Sequence, residues 1–111
     1  MTDEPVSDLS LADVLSAAAE ELEDIAAEAD LGSTTWSAAG RPFAILSGDR
    51  AEFRLDPLVV RAALRTPDTA PSPRGPDWVA FAPEVLDDPA IDRAEAWFLS
   101  GHRLATGPRN R

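Results

Sequence analysis

The sequence lacks several residue types, and each absence excludes a class of protein. Its 111 residues contain no cysteine, so a disulfide-stapled extracellular scaffold is excluded. The apolar stretches run for only a few residues, far short of the roughly 20 that a helix needs to cross a bilayer. The N-terminus MTDEPVSD is acidic, where a secretory or transit peptide is basic. We therefore expect a cytoplasmic protein without membrane contact.

Basic residues are absent from the first part of the chain. Residues 1–40 hold ten acidic residues and no base, whereas residues 41–111 hold ten acidic residues and ten arginines. The net charge of −10 therefore comes from the first 40 residues alone. Such a charge disfavours binding to nucleic acid or to an anionic membrane, because both need a basic patch. The expected partner is a basic protein, and the chain itself is expected to be a monomer or a weak homodimer.

Apolar residues at three-and-four spacing predict a long N-terminal helix over about residues 11–31. Ser10 and Asp13 fit a capping box, and Gly32 fits a helix stop. A helix of this length spans about 30 Å, enough to lie across a small sheet. Its polar face would carry a row of carboxylates that includes Glu20, Asp24 and Glu28.

Short β-rich segments separated by turn residues follow this helix. In one of them apolar and charged residues alternate, so that Glu52 is expected to face water together with Arg50 and Arg54. The segments predict an antiparallel sheet of about four strands, which span residues 34–38, 42–47, 51–55 and 78–82.

Two Asp-Pro pairs predict two further helices, since aspartate caps the first turn and proline suits it. One helix is expected over 58–65, and the other from Asp88 to about Leu104. Residues 66–76 contain four prolines and a glycine and are predicted to be irregular. The order indicates one α+β domain over 10–105, in which helices pack on one face of the sheet. A disordered acidic N-terminus over 1–9 and a flexible tail over 106–111 flank it.

Several short motifs, taken together, are similar to those of one protein family. They are Trp36, GRPFAIL at 40–46, FRLDP at 53–57, WVAF at 78–81 and SGHRLA at 100–105. In this order they resemble the MmcQ/YjbR family of small bacterial proteins. The resemblance implies a frataxin-like α/β sandwich, and it implies no reaction and no cofactor. His102 stands where the family motif has a tyrosine, which puts any binding role of that position in doubt.

The acidic helix face has three interpretations. Like charges at positions three and four apart each cost on the order of 0.2–0.5 kcal/mol, so something should compensate. Arginines from later segments, such as Arg50, Arg54 or Arg61, could pair with it inside the monomer. Alternatively, Glu20, Asp24 and Glu28 could dock a basic partner or bind a hard cation, although surface carboxylates without a shaped loop bind Mg²⁺ or Ca²⁺ weakly.

The tryptophans and the single histidine supply candidate ligand contacts. Trp97 lies on the apolar stripe of the last helix and is expected in the core. Trp36 and Trp78 lie on strands, and either pack in the core or form an apolar floor on an open sheet face, with His102 nearby. A lone imidazole makes a poor zinc site, so no metal and no catalytic residue is assigned.

Function is expected to be that of a non-enzymatic binding or interaction module. One alternative is weak nucleic-acid binding through arginines of the sheet and tail, with Arg50, Arg54 and Arg103 as contacts. The other alternative is a small-molecule or enzymatic pocket near Trp78 and His102. The sequence contains no phosphate-cradling glycine loop, metalloprotease motif or nucleophile elbow.

Overall fold

Three helices and six strands make up most of residues 9–107, the part of the chain that this computed structural model describes. Positions 1–8 and 108–111, which hold most of the predicted N-terminal and C-terminal flexible segments, lie outside the described residues. The elements are α1 (Leu11–Glu20), β1 (Ala26–Asp30), β2 (Ser33–Ala38), β3 (Arg41–Ser47), β4 (Arg50–Arg54), α2 (Pro57–Ala63), β5 (Thr69–Pro71), β6 (Trp78–Phe81) and α3 (Asp88–Thr106).

The strands form one antiparallel sheet in the order β1-β2-β3-β4-β6-β5. Two-residue turns join the first four. Leu31 and Gly32 have φ of 50° and 83°, and Ala39 and Gly40 have φ of 54° and 76°. Positive φ at both central residues is the requirement of a type I′ turn, whose twist matches that of the strands. The first turn sets a regular register between β1 and β2, whereas the register of β2 and β3 shifts between Trp36 and Ser37.

The helices cover one face of the sheet and form a single core with it. On α3, Phe98 packs edge-on against Trp36 and Phe43, with ring centroids 5.3 and 5.0 Å apart. Gly101 lets α3 approach the sheet closely, because a Cβ built there would lie 3.0 Å from Phe43 Cδ1 and 3.1 Å from the Arg54 carbonyl oxygen. The SGHRLA motif thus has a packing role.

No helix within residues 9–107 combines the length and apolarity needed to cross a membrane.

The prediction of a long N-terminal helix is wrong. The capping box of Ser10 and Asp13 is present, but α1 ends after ten residues at Glu20. The chain turns through Asp24, at a φ of 58°, and residues 26–30 pair with β2 as a strand. The longest helix is instead α3, with 19 residues. Hydrogen bonds to β2 replace the helical ones that the continuing apolar spacing had suggested.

The prediction of about four strands is also wrong, because the sheet has six. One missed strand is β1, and the other is β5 within the proline-rich segment that was predicted to be irregular. Proline is compatible with an edge strand, where its missing N–H faces away from the ladder. Residues 69–71 occupy that position beside β6. The family-like sandwich expected from the motifs therefore does not describe this fold.

Candidate functional site

The face of the sheet opposite the helices carries the polar cluster from which a site can be built. Phe53 and Val79 are register partners that point into the core. Because side chains alternate along a strand, the adjacent pair Arg54 and Trp78 points to the open face. Glu52 lies on the same face, two residues before Arg54.

A cleft of about 620 Å³ opens at one end of this face. Its floor and walls come from the β2–β3 turn and from the adjoining ends of β4 and β6. The register pairs Arg54 directly with Trp78 across β4 and β6. We call it the arginine–tryptophan cleft; it is lined by Gly40, Arg41, Pro42, Arg54 and Trp78.

The cleft is cationic although the chain is strongly acidic. The residues that line it include two arginines and one tryptophan and no acidic residue. Both ion pairs found within residues 9–107 use other arginines, Arg50 and Arg74. The Arg41 side chain donates one long hydrogen bond of 3.5 Å to the carbonyl of Ala105. This bond, and the pairing of Arg41 with the core residue Ala38, direct the Arg41 side chain towards the helix-covered side. Arg54 is therefore the arginine of the lining that lies on the open face, where its donors can receive an anion.

Glu52 is buried beside the cleft and holds the β5–β6 loop in place. Its side chain accepts a 2.6 Å hydrogen bond from the Ser72 hydroxyl and a 2.7 Å bond from Arg74 Nε. Arg50 Nη2 lies 3.6 Å from the same carboxylate. Only 4% of Glu52 is exposed, so the expectation that it faces water is wrong. The proline-rich loop folds back over this part of the open face and covers Glu52.

Ionisation of Glu52 reflects a balance of opposing effects. Burial acts to raise the pKa of this carboxyl, because it disfavours the charged form. The hydrogen bonds from Ser72 and Arg74 and the positive charges of Arg74 and Arg50 outweigh burial and hold the pKa below its usual value. Glu52 therefore remains a carboxylate that fixes Arg74 in position.

Arg74 connects this network to the cleft. Its guanidinium carbon lies 6.0 Å from the centre of the Trp78 ring, at the limit of a cation–π contact. Its backbone N–H donates to the Ser72 hydroxyl at 3.1 Å. Trp78 is thus partly buried under Arg74 and its loop, while its remaining surface lines the cleft.

The structure does not bring the three predicted ligand contacts together. Trp36 is on the helix-covered face, 3% exposed and packed on Phe98. His102 contacts the connector after α1, with Nε2 3.0 Å from the Glu23 carbonyl oxygen, and its ring packs edge-on against Phe43. Of the three, Trp78 alone lies on the open face.

The three predicted nucleic-acid contacts are also divided. Arg50 and Arg54 lie on the open face of β4, and Arg50 is held near Glu52. Arg103 lies in the last turn of α3 and lines a separate pocket with Asp56 and Val59. Arg103 therefore belongs to the helix layer, whereas the other two lie on the opposite face of the sheet.

The three predicted partner contacts lie on three different structural elements. Glu20 ends α1, Asp24 lies in the connector, and Glu28 is in β1. The continuous helix face that would have carried all three is not formed. Neither ion pair within residues 9–107 involves an acid of the first 40 residues, so the suggested pairing with later arginines is not seen there.

Sequence reasoning missed Arg41, Ser72 and Arg74. The alternation along β4 was a usable signal for the face of Glu52 and Arg54, but nothing local indicated that the proline-rich loop would return to it. Over residues 9–107, no group of three or more histidine, aspartate or glutamate side chains is arranged to hold a metal ion.

Comparisons with known proteins add no relative. A scan against protein-family models and searches of the curated proteins and the solved structures found no match to this chain. The resemblance to the MmcQ/YjbR family therefore rests on the short motifs alone.

Proposed function

We propose that the chain is a non-enzymatic binding module that takes a small organic anion with a flat apolar ring in the arginine–tryptophan cleft. The observation that carries the proposal is the pairing of Arg54 with Trp78 on an open sheet face, beside Arg41 and without a carboxylate in the lining. A guanidinium group binds carboxylate or phosphate through paired hydrogen bonds. The exposed part of the indole offers an apolar surface for a ring.

The charge of the protein, more than the size of the cleft, favours a small ligand over a polymer. A volume of about 620 Å³ lies within the roughly 300–1,000 Å³ typical of small-molecule sites. A nucleic-acid strand would have to approach a protein of net charge −10, which repels a polyanion at long range. A single small anion meets less of this repulsion, so it is preferred over the nucleic-acid alternative.

The same geometry ranks the enzymatic alternative lower. Its two residues, Trp78 and His102, lie on different sides of the sheet, and the His102 ring contacts the Glu23 carbonyl and Phe43. A base for proton transfer needs hydrogen-bond reach to the reacting group. The proposal keeps the cytoplasmic location and the monomeric or weakly dimeric state; the lack of cysteine fits a reducing compartment.

A titration with 1-naphthyl phosphate tests the site. Binding should shift the Trp78 indole N–H resonance in an NMR spectrum. Arg54→Gln should lower the affinity for the probe by about tenfold or more, because a charge-assisted hydrogen bond is lost. Arg103→Gln is the matched control, since Arg103 lines a different pocket, and its affinity should be unchanged.

The ligand series separates the alternatives. Neutral 1-naphthalenemethanol and inorganic phosphate should each bind more weakly than the combined probe, because each satisfies one half of the cleft. A thymidine decanucleotide that binds more tightly than the naphthyl phosphate, with a steep salt dependence, would favour the nucleic-acid alternative instead. A Trp78 resonance that no probe shifts would contradict the proposal.

A further inference from the structure

The edge strand β1 is exposed on both of its faces. All five residues, Ala26–Asp30, are solvent-exposed, and β1 ends the strand order with β2 as its single neighbour in the sheet. It contains no proline, and its pairing with β2 is regular over its whole length. One edge of this strand therefore lacks a partner within residues 9–107.

The turn fixes which backbone groups point outward. Asp30 and Ser33 flank a two-residue turn, and such flanking residues form a hydrogen-bonded pair. Alternation then places Glu28 and Ala26 in the other hydrogen-bonded pairs with β2. The N–H and C=O groups of Ala27 and Ala29 are consequently directed to the free edge, where they can receive another strand.

The opposite edge of the sheet, formed by β5, is less able to accept another strand. Strand β5 has three residues and ends in Pro71, which has no N–H to donate. The chain then turns into the loop that Glu52 holds through Ser72 and Arg74. Natural sheets blunt their edges with short strands and proline in this way. The contrast singles out β1 as the edge open to strand addition.

The side chains along β1 determine which kind of strand could bind at its free edge. Glu28 and Asp30 lie on one face of the strand, and the small Ala27 and Ala29 lie on the other. An added strand would place alternate side chains beside the two carboxylates and the others beside the alanines. A second copy of β1 in that position would set carboxylates against carboxylates, which is destabilising. Charge complementarity therefore calls for a basic strand.

We infer that the free edge of β1 binds an extended basic segment of another protein, which adds to the sheet as a seventh strand, antiparallel like every pair already in it. Its lysine or arginine side chains lie beside Glu28 and Asp30, and its intervening apolar side chains lie over Ala27 and Ala29. Backbone hydrogen bonds to Ala27 and Ala29 supply the affinity, as in other strand-addition complexes. This surface is distinct from the arginine–tryptophan cleft.

The register makes a sharp test possible with the peptide Ac-KVKVKVK-NH2. Its valines would face Ala27 and Ala29 in hydrogen-bonded pairs, so N-methylation of the valines should weaken binding by about tenfold or more. N-methylation of the inner lysines is the matched control, because their N–H groups would point to solvent, and affinity should change less than about threefold. Isothermal titration calorimetry measures the three dissociation constants on the unaltered protein.

Hydrogen exchange locates the complex. The amides of Ala27 and Ala29 should become protected when the peptide binds, and the amide of Ala70 at the opposite edge should not change. On the protein side, Ala29→Pro removes one outward donor without touching the ladder to β2, and should weaken binding at an unchanged circular-dichroism spectrum. If that variant unfolds, the two methylated peptides still decide the question.

Four outcomes would overturn the inference. Equal binding of the two methylated peptides would mean general charge attraction without strand addition. Equal binding of Ac-EVEVEVE-NH2 would remove the charge argument. Dimerisation through β1 would make a second copy the occupant, and a peptide that shifts Trp78 but not Ala27 or Ala29 would move binding to the cleft. The result for naphthyl phosphate is independent of all four.

Discussion

Glu28 and Glu52 are two glutamates in strands of the same sheet, but one is exposed and the other is buried. Glu28 is exposed on the edge strand β1, whereas Glu52 is 4% exposed and contacts Ser72, Arg74 and Arg50. The difference comes from what covers each strand. Strand β4 lies between two neighbours under a returning loop, and β1 has one neighbour and no cover within the described residues.

The two regions differ in the same way in their energetics. Around β4 and α3, burial of aromatic rings and a satisfied carboxylate stabilise the fold. Around β1 and its turn to β2, backbone pairing and turn geometry must hold the structure, because all five side chains of β1 and that of Leu31 are exposed. Changes to the first region should therefore cost more than changes to the second.

The largest contrast is expected between Phe98 and Leu31. Phe98 is fully buried against Trp36 and Phe43, and Leu31 at the hairpin tip is 98% exposed. Phe98→Ala should lower the free energy of unfolding by about 3–5 kcal/mol, since it leaves a cavity in the core. Leu31→Ala should change it by less than about 0.5 kcal/mol. Urea denaturation of both variants measures the difference, and similar losses would contradict the comparison.

A smaller effect is expected from the two glutamates themselves. Glu52→Gln should cost roughly 1–3 kcal/mol, because it removes charge-assisted bonds from a buried network. Glu28→Gln is the matched control, with an expected change below about 0.5 kcal/mol.

The pH dependence of the Glu52 variant has a definite sign. Since the pKa of Glu52 is held below its usual value, its stabilisation is fully present above the unfolded-state pKa of about 4.3 and is lost as the pH falls through the lower folded-state pKa. Denaturation curves should therefore show the cost of Glu52→Gln at neutral pH and a shrinking cost in acid. A cost that is constant from pH 7 to pH 2 would contradict the assigned network.

The smallest effect concerns the β1–β2 turn. Leu31 adopts a φ of 50°, a left-handed conformation that is unfavourable for most side chains and better tolerated by asparagine. Leu31→Asn creates an Asn-Gly type I′ turn and should raise the free energy of unfolding by roughly 0.5–1 kcal/mol. Ala39→Asn, at the equivalent position of the next turn, should act in the same direction. A loss of stability in both variants would contradict the turn assignment.

The sequence contained a signal against the long helix that apolar spacing alone concealed. Four acids between Glu20 and Asp24 crowd one stretch of any helix that continues through it, and acids near a helix C-terminus oppose its dipole. Alternation of alanine with acids over 26–30 also fits a strand. Pairing with β2, which no local pattern specifies, decided between the two.

The candidate site was predictable only in part. Arg54 and Trp78 stood among the candidate residues, and their strands were recognised. Their register partnership was not visible, because it joins strands that are 24 residues apart in sequence. Arg74 was hidden in a segment predicted to be irregular, and Trp36 and Trp78 could not be assigned to faces until the sheet order was known.

Local chemistry by itself indicated the capping box of Ser10 and Asp13, the helix that Asp56 and Pro57 open, and the amphipathic α3, whose cap is Asp87, one residue before the predicted Asp88. These depend on residues within a few positions of one another, where steric limits and hydrogen-bond reach act directly. The tertiary structure alone decided that residues 26–30 pair as a strand, that β5 closes one edge, and that Glu52 is buried beneath Arg74. Those outcomes depend on contacts between distant segments, whose free energies exist only after the chain has brought them together.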